Sequence, residues 1–164
     1  MQAVSSMPFA HRAIDPTDHI AIVDALYRFG AGQDMSDRSL FESAIAHDAV
    51  LDFTQPAKRL GLEIPVFKGR AAIADTIFAA IAELDTTHTV TNPRITDYDG
   101  RHATLTALVE AAHLLRADHS RRLTLKNVYR IELSRSVDAW LMDHVRIDNV
   151  WKDGDAKVLF PDAA

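Results

Sequence analysis

The chain has 164 residues, 48% hydrophobic and 25% charged, which fits one globular domain large enough to bury a sizeable core. Its net charge of -5 and pI near 5.9, with no long Lys/Arg cluster, exclude nucleic acid or an anionic membrane surface as the main partner. Cysteine is absent, which excludes disulfides, thiolate catalysis and Cys-based metal sites.

Residues 1–14 show no clean periodicity and are expected to form an N-terminal tail. They lack the basic start and apolar run of a secretory signal, and no apolar run in the chain approaches the ~20 residues that span a bilayer. A soluble, cytoplasmic protein without membrane contact is therefore expected. Asp15-Pro16-Thr17-Asp18 then reads as a helix start, with an acidic cap, proline in the first turn and negative charge at the amino end. Ile20, Val23, Leu26, Tyr27 and Gly30 follow helical spacing, so this helix is expected to run to about Asp34.

Ser36-Asp37 opens a second, short helix through Leu40, Phe41 and Ile45, closed by His47-Asp48, and Ala49 to Phe53 reads as a strand. Between Thr54 and Lys68, Pro56, Gly61 and Pro65 point to a loop that serves as a flap. Gly69 to Leu84 carries Ile73, Ile77, Phe78, Ile81 and Leu84 at helical intervals among alanines, the clearest helix after the first.

From Thr86 the period changes to two. Thr86–Tyr98, His102–Leu115, Leu123–Arg135 and Ala139–Trp151 all alternate, with Asp99-Gly100 as a hairpin signal and 136–138 as a turn. Helices followed by long antiparallel strands define an α+β domain, one curved sheet wrapped over helices, spanning residues 15–158 with a C-terminal tail at 159–164. The sequence carries no Gly-rich phosphate loop, GxSxG, HExxH or internal repeat.

The strand faces carry the chemistry. His88 shares a face with Val90 and Asn92, and His113 is the one polar member of the face Ala103, Leu105, Ala107, Val109, Ala111, Leu115. Asn127 and Tyr129 interrupt the apolar face Leu125, Ile131, Leu133. Polar groups on buried faces cost about 1–3 kcal/mol if unpaired, so several on separate strands point to one shared pocket for a small hydrophobic molecule. Each alone also fits a satisfied core residue. Asp34 ends the first helix, where a carboxylate opposes the helix dipole. It is therefore a candidate acceptor for the Nδ1 proton of an inward histidine. Asp34, His88 and His113 also have the donor types of a two-histidine, one-carboxylate metal site, but no short His-x-His or His-x-x-x-His spacing supports it, and no metal is expected. His11, His19, His47, His102, His119 and His144 read as surface, cap or turn residues.

The ordered set of Gln33-Asp34 with Asp37, Phe41 with His47-Asp48-Ala49-Val50, Phe67-x-Gly69-Arg70, Thr87-His88-x-Val90-x-Asn92, His113, and Trp140 with Trp151-x-x-Gly154-Asp155 resembles the SnoaL-like branch of the nuclear-transport-factor-2-like superfamily. Within that branch it is most similar to the scytalone dehydratases. The resemblance implies a cone-shaped, cystatin-like α+β fold with a curved antiparallel sheet over about three helices, no cofactor, and a homo-oligomer, dimeric or trimeric. It also implies a cofactor-independent dehydratase that acts by acid–base catalysis on a cyclic or aromatic, polyketide-like or steroid-like hydroxy-carbonyl compound. The family's catalytic Asp and two His match Asp34, His88 and His113. Its assisting Ser and Asn fall at Asn127 and Tyr129. Its two carbonyl-polarising tyrosines fall at Gln33 and Phe53, so Tyr27 or Tyr129 is expected to supply the missing donor, and Tyr27, Phe53, Asn127 and Tyr129 are the expected substrate contacts. The same residues fit an isomerase, hydrolase or cyclase. The fold is also that of non-catalytic small subunits of aromatic-ring-hydroxylating dioxygenases.

Overall fold

Asp15 caps the first helix, α1 (Pro16–Asp34), by accepting the Thr17 N–H at 2.8 Å, with Pro16 in the first turn where its missing N–H is not needed. The computed structural model describes residues 13–161. His11 and most of the tail expected at 1–14 lie outside these residues. Ile22, Ala25, Leu26 and Phe29 are buried along one stripe of α1, which turns Tyr27 outward. A short α2 (Arg38–Glu42) follows, capped by the Asp37 carboxylate on the Leu40 N–H. Gly32 permits this tight return: the Asp37 N–H donates to its carbonyl at 2.7 Å, and a Cβ on it would sit 2.5 Å from the Phe41 nitrogen.

The expected second helix is shorter than its apolar spacing implied. It stops at Glu42 because Ser43 turns the chain, its Oγ donating to the Leu40 carbonyl while Arg28 takes its own carbonyl. Ile45 is therefore the first residue of strand β1 (Ile45–Asp52), and His47 and Asp48 lie exposed within that strand, at a register shift. The flap expected at 54–68 is also corrected, because its first part is a helix, α3 (Thr54–Arg59), with Pro56 in the opening turn. Asp52 accepts from both Thr54 N–H and Thr54 Oγ1, which starts that turn. A two-residue strand, β2 (Phe67–Lys68), precedes α4 (Arg70–Ala80). That helix ends before Leu84, which opens the next strand instead.

The four long strands are β3 (Leu84–Tyr98), β4 (His102–Leu115), β5 (Asp118–Arg135) and β6 (Trp140–Gly154), an antiparallel meander. Strand β6 then pairs parallel with β1, and β1 antiparallel with β2, giving one curved sheet in the order β2-β1-β6-β5-β4-β3. Register shifts in the β3/β4 and β5/β6 ladders are bulges, which bend strands and deepen twist. One bulge corrects the expected partnership of Asn92 with His88: Asn92 takes φ 51° and is exposed. The inward residues of β4 and β5 alternate as expected, and the sheet's concave face joins α1, α2 and α4 in one core. This is the α+β, cystatin-like cone, with a curved sheet over helices.

At one end of the sheet, the buried Asp18 accepts from Tyr98, Arg135 and Trp140, tying α1 to three strands. At the other end the chain does not leave as a free tail at 159. The 3-10 turn at Ala156–Val158 folds Leu159 and Phe160 back onto the core, where Leu159 is buried. An apolar pair at this site saves more free energy by packing than it would gain as exposed tail.

Because the Gly32 contact is with backbone, Gly32→Ala should destabilise the protein by about 2 kcal/mol in urea unfolding, as overpacking does. Unchanged stability would contradict the close α1–α2 return.

Candidate active site

Asp34 stands at the last position of α1, where the helix dipole disfavours a negative charge. Strand β3 compensates it with three donors. Nδ1 of His88 lies 2.6 Å from Asp34 Oδ1, the His88 backbone N–H donates to Oδ2 at 2.7 Å, and Thr86 Oγ1 donates to Oδ1 at 2.9 Å. Gly30, one turn earlier, makes the approach possible: a Cβ there would lie 3.1 Å from the His88 Cβ. Burial raises the Asp34 carboxyl, but the His88 and Thr86 hydrogen bonds outweigh it and hold the group below the ordinary aspartate range. An ionised Asp34 accepts only, so Nδ1 of His88 carries the proton and Nε2 is left as the free nitrogen of a ring that lines a cavity.

The cavity measures about 140 Å³. An apolar hole of about 150 Å³ takes up benzene, so a compact ring system sets the scale here. Its walls are mainly apolar, including Phe29, Leu51, Phe53, Phe67, Ile77, Ala111, Leu125 and Ile147. Alanines on β4 open this space: Ala107 pairs with Tyr129 and Ala111 with Leu125 across the β4/β5 ladder. Thr76 and Ala80 of α4, both exposed, mark where the cavity meets solvent, near Ile64 and Phe160. Phe160 tilts against Phe53 with ring centroids 6.0 Å apart.

His113 faces His88 from β4, ring edge to ring face at 84° with centroids 6.1 Å apart. It is 5% exposed, and its Nδ1 has no hydrogen-bond partner among the described residues. Burial, reinforced by the neighbouring His88, lowers its pKa to about 4 against the weaker opposing effects of the Leu123 backbone and Asp34. His113 is therefore neutral at physiological pH. Tyr129 and Asn127 follow on β5. Burial, with Asp34 nearby, pushes the Tyr129 phenol above the ordinary tyrosine range, so it stays an O–H donor, and it makes no hydrogen bond among the described residues. Asn127, 1% exposed, accepts from Asn149 Nδ2 at 2.9 Å.

Asp34 thus meets His88 at the wall of this cavity, which Phe53, His113, Asn127 and Tyr129 also line. Tyr27 is not among them. It is 48% exposed, one residue off the buried stripe of α1, and the same helix contributes Phe29 and Gln33 to the wall instead. Gln33 donates Nε2 to the Phe29 carbonyl at 3.1 Å, and its side-chain oxygen has no partner among the described residues. Asn149 was legible by the same alternation that exposed Asn127, since Val145, Ile147 and Asn149 form one buried face. Ile64, Leu159 and Phe160 carried no periodic signal. His47, His102 and His119 are exposed and pair with Asp48, Asp99 and Asp85. Among the described residues no group of three His, Cys, Asp or Glu side chains is arranged to hold a metal ion, and no helix is long and apolar enough to cross a membrane.

Comparison with known proteins places the chain in a family. Residues 16–146 match the SnoaL-like domain model, so the chain belongs to the SnoaL-like family. It is 29% identical over 145 residues to the terrestric acid biosynthesis cluster protein E of Penicillium crustosum, covering 85% of this chain and 87% of that one. Among solved structures, a provisionally assigned aromatic ring hydroxylase from Novosphingobium aromaticivorans superposes with a TM-score of 0.78 at 21% identity, covering 90% of this chain and 99% of that one. A provisionally assigned scytalone dehydratase from the same species gives 0.70 at 14%, covering 85% and 88%. The hexachlorocyclohexane dehydrochlorinase LinA-type3 of Novosphingobium barchaimii gives 0.70 at 18%, covering 88% and 94%. At these identities the structures share the fold.

The His113 environment makes a pH prediction. Its pKa falls from 6.5 unfolded to about 4 folded, so between those values the unfolded chain binds more protons and stability rises with pH. On acidification from about pH 6.5 to 4 the protein should lose on the order of 3 kcal/mol from this residue. His113→Leu should flatten that part of the profile in urea unfolding at stepped pH. An unchanged profile would show that the ring is not buried neutral.

Proposed function

We propose that the protein is a cofactor-independent carbon–oxygen lyase that dehydrates a hydrophobic cyclic hydroxy-carbonyl compound by acid–base catalysis. The observation that carries this reading is the Asp34–His88 pair at the wall of an apolar cavity. An imidazole with its Nδ1 proton committed to a carboxylate has a basic, correctly oriented Nε2. In the proposed reaction Nε2 of His88 takes a proton from the carbon next to the carbonyl. The C–H electron pair moves into the carbonyl, giving an enolate whose oxygen accepts from the Tyr129 hydroxyl. The enolate then reforms the carbonyl with a carbon–carbon double bond and expels the β-hydroxyl. The proton held by His88 leaves with it as water. His113, neutral at working pH, acts by hydrogen bonding the departing hydroxyl or a water beside it, in place of donating a proton as an imidazolium.

The cavity volume and its apolar walls support a compact ring system as substrate. The family, and a relative named for a terrestric acid biosynthesis cluster, support a small molecule of polyketide-like type. The same base supports isomerisation where the substrate has no β-hydroxyl and the proton returns to another carbon. A second reading, a non-catalytic subunit of an aromatic-ring oxygenase in a homo- or hetero-oligomer, draws support from the hydroxylase-named structural neighbour. It gives no role to the polar groups that line the cavity.

A panel of one- and two-ring β-hydroxy ketones, followed by the ultraviolet absorbance of the enone formed, tests the proposal. His88→Ala and Asp34→Asn should each lower kcat/KM about 10²–10⁴-fold, assayed well below the lowered melting temperature of each variant, with the parent's circular dichroism spectrum retained. Full activity in the His88 variant would end the assignment, and co-purification with an oxygenase chain without turnover would favour the second reading.

A further inference from the structure

The β5/β6 ladder shifts register between Lys126 and Asn127: Lys126 pairs with Trp151 and Asn127 with Asn149, which leaves Val150 as a bulged residue. Helix α3 is built onto this bulge. Gln55 Oε1 accepts the Asn149 backbone N–H at 2.6 Å, and Arg59 Nη1 donates to the Val150 carbonyl at 2.7 Å. The bulge keeps Asn149 on the inward face, 5% exposed, beside Asn127.

The Asn149 side chain has its polarity fixed on every side. Its Nδ2 faces three oxygens: the Trp151 carbonyl at 2.8 Å, Asn127 Oδ1 at 2.9 Å and the Lys126 carbonyl at 3.3 Å. Its Oδ1 faces Arg59 Nη1 at 3.3 Å. Backbone carbonyls only accept and a guanidinium only donates, so the amide of Asn149 cannot be reversed without two acceptor–acceptor clashes. That in turn compels Asn127 to offer Oδ1 to Asn149. Its own Nδ2 has no partner among the described residues and belongs to a side chain that lines the cavity.

We propose that Asn149 is a positioning residue that fixes the polarity of the Asn127 amide, so that the β5 wall of the cavity presents an N–H donor and selects ligands carrying an acceptor oxygen there. This deepens the reading of the cavity as a site for a carbonyl compound and rests on it. The selection belongs to ligand binding and does not depend on turnover.

The test uses three ring-matched probes bound to the full chain: indane, 1-indanone, which only accepts, and 1-indanol, which accepts and donates. The parent protein should bind both oxygenated probes about tenfold more tightly than indane, the size of effect of a buried hydrogen bond. In Asn149→Asp the new carboxylate only accepts, so Asn127 turns its Nδ2 toward it and shows Oδ1 to the cavity. The 1-indanone preference should then fall several-fold, to what the Tyr129 hydroxyl alone supports, while that for 1-indanol stays. Should Asn149→Asp not fold, Asn127→Asp asks the same question, because the carboxylate placed there still accepts from Asn149 and shows an oxygen to the cavity. Equal loss of all three affinities would mean a merely structural Asn149 and would overturn the proposal, as would an unchanged 1-indanone preference in either variant. His88→Ala should lower turnover about 10²–10⁴-fold yet keep the probe pattern, so failure of the lyase reading and failure of the amide polarity are told apart.

Discussion

A carboxylate at the wrong end of a helix dipole is the constraint from which the rest of the site follows. Asp34 closes α1 where a cation would be favoured, and it is tolerated because β3 delivers the His88 ring, the His88 N–H and the Thr86 hydroxyl onto its two oxygens. Charge-assisted hydrogen bonds are worth roughly 1.5–3 kcal/mol, against a dipole penalty of about 0.3–1 kcal/mol. The pair therefore fixes the crossing of the first helix over the edge strand. It also fixes which nitrogen of His88 is free, and Gly30 removes the methyl that would hold the two elements apart.

The cavity is a consequence of how the sheet is filled. Strand β4 sends alanines inward at 103, 107 and 111 and then His113, while β5 sends Tyr129, Asn127 and Leu125. Small residues opposite large ones leave a hollow under the curved sheet that α4 and Phe160 do not fill. Its polar groups differ in kind: His88 is held by a carboxylate, and His113 is kept neutral by burial. The Tyr129 phenol stays protonated, and the Asn127 amide is oriented from behind. A carboxylate-held imidazole, a neutral imidazole and two groups able to donate around one apolar space are the components that the proposed enolate chemistry would use.

Much of this was legible along the chain because a strand repeats every two residues. The alternation through 102–115 and 123–135 named the inward faces, and with them His113, Asn127 and Tyr129. The oddity of an acid at a helix end pointed to Asp34. What was not legible depended on contacts distant in sequence. Tyr27 falls on the same helical pattern as Leu26, yet one step of about 100° turns it to solvent. The second helix ends at Glu42 because Arg28, from another helix, takes the Ser43 carbonyl. Residues 54–59 coil into α3, whose Gln55 and Arg59 find partners only on β6. A bulge at Asn92 and the inward return of Phe160 leave no periodic trace at all.

The central claim is the protonation of one ring. Nitrogen-15 NMR of the histidine side chains at neutral pH reads it directly, through the separate shifts of protonated and unprotonated ring nitrogens. The account predicts that Nδ1 of His88 carries a proton held by Asp34, and that Asp34→Asn abolishes this preference. A His88 ring with its proton on Nε2, or one rapidly averaging between both nitrogens in the parent protein, would contradict it.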